Sequence, residues 1–260
     1  SVDDAGVRST GRYNTGVTFA YDDLFGVNDL LSLSAGSGTL VGGLGQRSRN
    51  GSLAYSVPFG YSTYSLSLSS YDYRQVIQGA YEKFVRAGDT QSVELSINSV
   101  VARGQTSRSA IDLRVARKES SQYINDVELD VQRRNTASIH LGLTHRQYVG
   151  PAVLEAGIAL RRGGPWLGAR HDAADLPAGS QTSRYTMKLI DLSLVIPFQV
   201  TSLPVNYRLN VHGQQTRDPV YGTEFLSIGG RYTVRGFDNE HALAAESGGF
   251  MRNEFGIQLP

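Results

Sequence analysis

Apolar and polar side chains alternate along most of this sequence, one residue of each kind after the other. Between positions 12 and 22, Tyr13, Val17 and Phe19 fall on one side of the chain, whereas Asn14 and Thr18 fall on the other. A period of two residues is that of a β-strand with two different faces. Eleven such segments follow one another, so the sequence predicts an all-β protein.

The connections between these segments alternate between short and long. Short turns are predicted at Asp22–Asn28 and Tyr148–Pro151, and long connections over Gln75–Asp89, Lys118–Asp130 and Arg162–Ser183. Most segments have about the 9 to 11 residues of a strand that crosses a bilayer at a tilt. Bacterial outer-membrane barrels have short periplasmic turns and long external loops. A soluble sandwich has no reason to place its long loops at one end, so the pattern favours an antiparallel transmembrane β-barrel.

Eleven strands cannot close such a barrel with both chain termini in the periplasm. Because the first connection is a short turn, the first strand already runs inward, and we expect at least one strand before residue 1. Residues 1–260 are therefore interpreted as an incomplete barrel domain. Its two strand edges need partners, because unpaired backbone groups in lipid cost several kcal/mol each.

One segment does not keep a single parity. Tyr185, Met187 and Leu189 share one face, whereas the apolar residues between Ile190 and Ile196 share the other. A β-bulge near Leu189–Asp191 would bring both sets to the same side, and we predict one there.

The polar faces of the predicted strands would line a water-filled lumen, where charged side chains are tolerated. The candidate lumen-lining residues are Arg12, Glu94, Asp112, Arg114, Arg161, Arg208, Asn210 and His212. Taken singly, most of these positions are expected only to keep the lumen hydrated. The opposite, apolar faces are expected to contact outer-membrane lipid.

The composition gives little support to other classes of protein. No apolar run approaches the roughly 18 residues of a spanning helix, and a net charge of +1 gives no strong field for nucleic acid. The five histidines lack metal-site spacing and cysteine is absent. Asp172 and Asp175 form the nearest thing to a carboxylate pair, but we expect solvated charges there. The sequence thus predicts no enzyme, no metal site and no cofactor.

A long connection from Gln215 to Gly248 contains the stretch Gly229–Phe237, which reads Gly-Gly-Arg-Tyr-Thr-Val-Arg-Gly-Phe. The pair Gly229 and Gly230 permits a tight reversal or a close backbone approach, and Arg235 is a permanent cation with five donors. A loop without a role is usually short and polar. We therefore expect this loop to fold inward against another part of the protein.

The stretch from Gln214 to Glu254, with Val-Arg-Gly-Phe at its centre, resembles the outer-membrane transporters of two-partner secretion, the TpsB-type proteins of the FhaC, ShlB and HecB kind. These belong to the superfamily of outer-membrane protein-transport and assembly barrels. A weaker resemblance extends from Asp3 through Asp22–Asp29 and Gly164–Ala169. Within Gly164–Ala169, Trp166 matches a family pattern, although an interfacial aromatic anchor explains it equally well.

The resemblance implies a sixteen-stranded barrel, with one strand before residue 1 and four after residue 260. It implies that residues 215–248 form an inward-folded lid loop with the motif Gly229, Gly230, Val234, Arg235, Gly236 and Phe237. Arg235 would then pair with an acidic residue on a later strand, which this chain does not supply. Gly230 and Gly236 would allow close approach to the wall, and Phe237 would pack the tip of the loop.

The same resemblance implies a location in the bacterial outer membrane and the export of one large unfolded exoprotein, such as an adhesin, a haemolysin or a contact-dependent toxin. The implied partners are that exoprotein, outer-membrane lipid and the protein's own periplasmic peptide-binding domains, which lie outside this chain. Export would proceed without ATP. Two alternatives stay open: a passive diffusion porin, and an outer-membrane protein insertase of the same superfamily.

Overall fold

A computed structural model describes residues 2–3, 13–39, 47–79, 81–173, 175–177, 179–201, 203–230, 233–234 and 242–257. Four of the predicted site residues, Arg12, Arg235, Gly236 and Phe237, lie outside the described residues.

The described residues are almost entirely β-strand. The strands are β1 Val2–Asp3, β2 Tyr13–Asp22, β3 Leu30–Thr39, β4 Arg47–Phe59, β5 Ser62–Gln78, β6 Lys83–Arg103, β7 Ser107–Ile124, β8 Val127–Glu128, β9 Arg134–Val149, β10 Ala152–Gly164, β11 Thr186–Val200, β12 Leu203–Thr216, β13 Leu226–Ile228, β14 Leu243–Ala245 and β15 Gly248–Ile257. Two single-turn 3₁₀ helices span Asp130–Gln132 and Gly222–Glu224. Among the described residues, no helix is long and apolar enough to cross a membrane. The predicted all-β class is confirmed, and eleven of these strands have ten residues or more.

The chain divides into two compact units. The first comprises residues 1–96, 115–138 and 165–171, and the second comprises residues 97–114, 139–164 and 172–260. Strands β6, β7 and β9 therefore each contribute residues to both units.

In the first unit, β1, β2, β3, β4 and β5 pair antiparallel in that order. Serines meet across the strands on one face: Ser34 and Ser52 are joined by a 2.6 Å hydrogen bond, and Ser69 and Ser92 by another of 2.6 Å. The opposite face carries large apolar side chains such as Val17 and Phe19, which are exposed. The alternation read from the sequence thus separates a hydroxyl-rich face from an apolar one.

The short turn between β2 and β3 is closed by two aspartates. The Asn28 N–H donates to Asp23 Oδ1 at 2.8 Å, and the Phe25 N–H donates to Asp29 Oδ1 at 3.1 Å. Asp23 and Asn28 both have a positive φ, which aspartate and asparagine tolerate better than most residues. This accounts for the Asp- and Asn-rich turn sequence.

Two connections predicted to be long are instead built largely from strand. β5 continues to Gln78 and β6 begins at Lys83, so only 79–82 separate them. β7 continues to Ile124, and the Asn125–Asp126 turn, with both φ angles positive, leads directly into β8. The prediction was wrong because the extensions of these strands do not alternate apolar with polar residues, so the sequence gives no period of two there. By contrast, residues 165–185 and 217–247 do form long connections.

In the second unit, β10, β11, β12 and β15 pair antiparallel in that order. The β10–β11 register runs without interruption from Arg162 opposite Thr186 to Val153 opposite Val195. The β11–β12 register is equally continuous. The bulge predicted near Leu189–Asp191 is therefore wrong, and the apolar residues on the other parity of β11 need a different explanation.

Candidate functional site

Charged side chains gather on one face of the second unit, which we call the charged wall. The charged wall consists of Asp112, Arg114, His140, Arg146, Glu155, Arg161, Asp191, His212 and Arg252. Most of these side chains line a cavity of about 590 Å³. The strand registers explain the clustering, because Gly157 lies opposite Asp191 and Asp191 opposite His212, which puts every second residue of adjacent strands on the same face.

Opposite charges lie close together along this wall. Arg114 Nε is 2.5 Å from Asp112 Oδ1, and Arg146 Nη2 is 2.5 Å from Glu155 Oε2. The rings of His212 and Phe250 lie beside each other, and His212 Nδ1 is 2.6 Å from Asp191 Oδ1. A wall whose charges lie beside opposite charges is strongly hydrated but gives a passing solute little net charge to bind. This suits a polar conduit better than a tight binding site.

Five of the predicted lumen residues line this cavity: Asp112, Arg114, Arg161, Asn210 and His212. Asp112 is buried, and the His140 ring lies 3.7 Å from its carboxylate. Arg208 is exposed on β12, opposite Glu254 of β15, and Glu94 is half-buried on β6 in the first unit. Arg12 lies outside the described residues.

The opposite face of the same strands is apolar and exposed. Ile158 is 61% exposed and Phe255 is 69% exposed, and Leu160, Ile190 and Met251 are also more than half exposed. Large apolar side chains in water would be costly. They suit a surface that contacts the hydrocarbon of a membrane.

Apolar residues in the first half of β11 and directly before it interrupt the polar face of this unit. Met187 lies opposite Arg161 on one side and Thr216 on the other, so it points to the face of the charged wall. We call Tyr185, Met187 and Leu189 the docking patch. All three are buried in one cluster with Val220 of the connection after β12, and Phe225 packs against that cluster.

The connection after β12 therefore folds back onto the polar face of β11, at least in its described residues. Its first part, residues 217–226, is called the loop root, and it contains Val220, the second 3₁₀ helix and Phe225. β13 and β14 follow as a small antiparallel pair in which Ser227 lies opposite Ala244. The loop root covers the docking patch, which is why apolar residues occur on the polar face of β11. No bulge is needed to account for them.

Polar contacts accompany the apolar ones. The Tyr185 hydroxyl donates to Glu224 Oε2 at 2.9 Å, and Arg161 Nη1 lies 3.6 Å from the same oxygen. The Gln214 side-chain amide donates to the backbone carbonyls of Glu224 and Glu246 at 2.8 and 3.0 Å. Sequence reasoning named Arg161 but missed Glu224 and Gln214, because their partners are distant in sequence.

Gly163 on β10 makes room for Tyr185. A Cβ at this position would lie 2.4 Å from the Ser183 carbonyl oxygen and 2.4 Å from Tyr185 Cε1. The Gly163 N–H also donates to the Tyr185 carbonyl at 3.0 Å. A glycine is needed here because two backbones and a ring share the space.

Gly229 and Gly230 lie at a bend of the chain. Gly229 has a φ of 118°, a conformation that favours glycine. The N–H groups of both glycines lie close to Thr233 Oγ1, to which they donate at 3.0 and 3.2 Å. Val234 is half-buried next to this turn. The rest of the predicted motif lies outside the described residues.

Asp172 organises the connection between β10 and β11 rather than standing as a solvated charge. Its carboxylate accepts hydrogen bonds from Thr182 Oγ1 at 2.6 Å and from the N–H and Oγ of Ser183 at 3.0 and 2.9 Å. Burial opposes ionisation, but these hydrogen bonds outweigh it and lower the pKa of Asp172. The expectation of a solvated charge holds only for Asp175, which is exposed.

Trp166 belongs to a tight turn in the first unit. The Ala169 N–H donates to the Trp166 carbonyl at 2.8 Å, and Leu167 and Gly168 both have positive φ. Arg117 Nη1 donates to the Leu167 carbonyl at 2.9 Å and forms an ion pair with Glu119. Sequence reasoning missed Arg117, which holds a turn that leucine would not otherwise favour.

An all-β antiparallel fold whose strands carry an apolar face and a polar face, with a loop folded onto the polar face of β11, is that of an outer-membrane β-barrel. The family described as haemolysin secretion/activation protein ShlB/FhaC/HecB matches residues 1–260. The chain belongs to this family. It is a protein of the outer membrane.

Individual relatives agree with this assignment. The chain is 32% identical over its whole length to "Outer membrane transporter CdiB-2" of Burkholderia pseudomallei, covering 44% of that protein. It is 30% identical to "Hemolysin transporter protein ShlB" of Serratia marcescens, with 96% of the chain and 44% of the relative covered. The chain therefore spans less than half the length of the curated relatives it matches.

Solved structures show the same fold. CdiB from Escherichia coli superposes with a TM-score of 0.91 at 25% identity, over 98% of this chain and 46% of that one. CdiB from Acinetobacter baumannii superposes with a TM-score of 0.84 at 30% identity, over 100% of this chain and 46% of that one. Both confirm the predicted transmembrane β-barrel.

Proposed function

We propose that the protein containing this chain is a protein-conducting outer-membrane pore, which exports one large unfolded exoprotein to the cell surface by two-partner secretion. Membership of the ShlB/FhaC/HecB family is the observation that carries the proposal. The curated relatives are named as haemolysin transporters or CdiB outer membrane transporters. The class of cargo is thus a haemolysin, an adhesin or a contact-dependent toxin.

The charged wall supports a conducting role. Its side chains face a cavity, and many of them lie beside an opposite charge. An unfolded polypeptide carries side chains of every kind, so a conduit for it benefits from a hydrated surface without a strong net field. Chemical bonds need not be made or broken for this role, and we propose that the protein is not an enzyme. Glu94 and Arg208 would extend the same hydrated lining.

The long connection after β12 would act as a lid. We propose that residues 215–248 fold into the lumen, that Arg235 pairs with an acidic residue on a strand beyond this chain, and that Gly230, Gly236 and Phe237 fit the tip against the wall. A buried guanidinium requires a carboxylate or several carbonyl groups around it. The loop root supports an inward path for this lid, because the loop root already lies on the polar face of β11.

The test uses the full-length protein and its cognate exoprotein. Arg235→Ala is expected to leave insertion into the outer membrane intact and to abolish release of the exoprotein into the medium. Arg217→Ala, which changes an exposed arginine earlier in the same connection, is the matched control. Unchanged secretion by Arg235→Ala would remove the role proposed for Arg235.

The two alternatives are distinguished by what depends on the protein. A diffusion porin would conduct small ions in planar bilayers with no effect of the exoprotein, and its deletion would leave secretion intact. An insertase would be needed for the assembly of many outer-membrane barrels. Deletion that stops the export of one exoprotein alone, with other barrels assembled normally, is the result expected for the proposed function.

A further inference from the structure

The loop root is held to the barrel wall by two kinds of contact that meet at one place. Val220 and Met187 are both 0% exposed, so their side chains close a dry contact between the loop root and β11. Phe225 packs against the edge of the same cluster. An apolar contact of this kind on a polar face would be exposed to water if the loop root left the wall.

The polar contacts lie around that apolar contact. Glu224 is 15% exposed at its side chain and lies between the Tyr185 hydroxyl at 2.9 Å and Arg161 at 3.6 Å. A carboxylate this deeply placed is stable only with such partners. Arg161 belongs to β10 and Tyr185 directly precedes β11, so one side chain of the loop joins two neighbouring strands.

Hydrogen bonds that involve backbone groups fix the same segment at its start. Asp218 Oδ2 accepts from the Thr186 N–H at 2.7 Å, and the Pro219 carbonyl accepts from the Thr182 N–H at 2.8 Å. Gln214 ties the carbonyl of Glu224 to that of Glu246, which are the two ends of the segment that contains β13 and β14.

We infer that the loop root is an anchor that stays docked on β10 and β11 during export, and that Glu224 is its positioning residue. This rests on the proposed function, in which the lid must make way for a polypeptide. The anchor would keep the base of the lid attached to β10 and β11 while a polypeptide passes. Glu224 acts through Arg161 and Tyr185 and need not touch the exported chain.

A disulfide across the anchor tests this. The 260 residues contain no cysteine, so Val220→Cys with Met187→Cys introduces one defined pair. In the full-length protein in intact outer membranes, we expect the pair to form a disulfide without an added oxidant other than that of the envelope. Oxidised and reduced forms of this double variant are expected to export equal amounts of exoprotein.

Two results would overturn the inference. Failure of a folded barrel to form the cross-link would show that the loop root is not docked, and export restored only by reduction would show that the root must detach. The single variants Val220→Cys and Met187→Cys control for the substitutions themselves. Cross-linking is read in the membrane without any exoprotein, so it tests the anchor even where the proposed export fails.

Substitutions at Glu224 test its positioning role with the cross-linked fraction as readout. Glu224→Ala in the cysteine-pair background is expected to slow cross-linking several-fold, and Glu224→Gln less, since an amide oxygen can still accept from Tyr185. The exchange Arg161→Glu with Glu224→Arg is expected to recover more cross-linking than Arg161→Glu alone. Equal cross-linking rates in all of these variants would remove Glu224 from the anchor.

Discussion

The polar faces of the two units are built from different chemistry. In the first unit, serines such as Ser34 and Ser52 bond directly across adjacent strands. In the second, the same strand geometry carries arginines beside carboxylates, together with the apolar docking patch on β11. Small hydroxyl groups complete their hydrogen bonds within the sheet, whereas a buried apolar patch on a polar face requires a cover. The comparison therefore teaches that the polar face of the second unit is shaped to hold a loop.

The largest effect is expected at Gly163, which lies against Tyr185 of the docking patch. Gly163→Val should displace Tyr185 and the Ser183 carbonyl, since even a Cβ would lie 2.4 Å from each. Overpacking of this kind costs about 1–3 kcal/mol or more. The loss of folded protein is measured by gel electrophoresis, as the fraction of barrel whose mobility still changes on heating. Gly222→Ala, at a glycine with open space around it, is the control and should fold normally.

The next largest effect is expected from a charge placed under the loop. Val220→Asp should undock the loop root, because it loses about 2 kcal/mol of apolar burial and cannot bury its carboxylate. Ser52→Asp puts the same charge on the serine face, where the side chain is exposed, and should be tolerated. Limited proteolysis of the loop after β12 measures the difference. Equal protease resistance in both variants would mean that the two faces do not differ as described.

A smaller, pH-dependent effect is expected at Asp172. Its pKa is lower in the folded protein than the usual 3.8, so its hydrogen bonds stabilise the connection at pH values above about 4. That stabilisation is lost as the pH falls through the lowered folded-state pKa. Proteolytic cleavage within residues 173–184 should therefore increase below about pH 4 in the unsubstituted protein. In Asp172→Asn, the rate of cleavage should depend less on pH. An identical profile in both proteins would exclude the carboxylate as the cause.

The strand pattern was predictable because most strands separate apolar from polar residues at every second position over much of their length. The same period led to the prediction that Asp112, Arg114, Arg161, Asn210 and His212 line the lumen. These five residues line one cavity. The extensions of β5 to β7 were not predictable, since apolar and polar residues do not alternate along them.

The docking patch was visible in the sequence but was misinterpreted. Tyr185, Met187 and Leu189 broke the parity of β11, and a bulge was the local explanation. The structure shows that the cover comes from Val220, far along the chain, and no local rule can reveal such a partner. Apolar residues on the wet face of a barrel strand are thus a sign of a docked loop.

The most direct test compares two positions on the same face of β11. Met187→Cys and Ser193→Cys are introduced separately into the full-length protein, and their reaction with a small water-soluble maleimide is followed in outer membranes. Because Met187 is covered by the loop root and Ser193 lines the cavity, the cysteine at 193 should react and that at 187 should be protected. Equal rates of labelling at the two positions would contradict the docking of the loop on the polar face of β11.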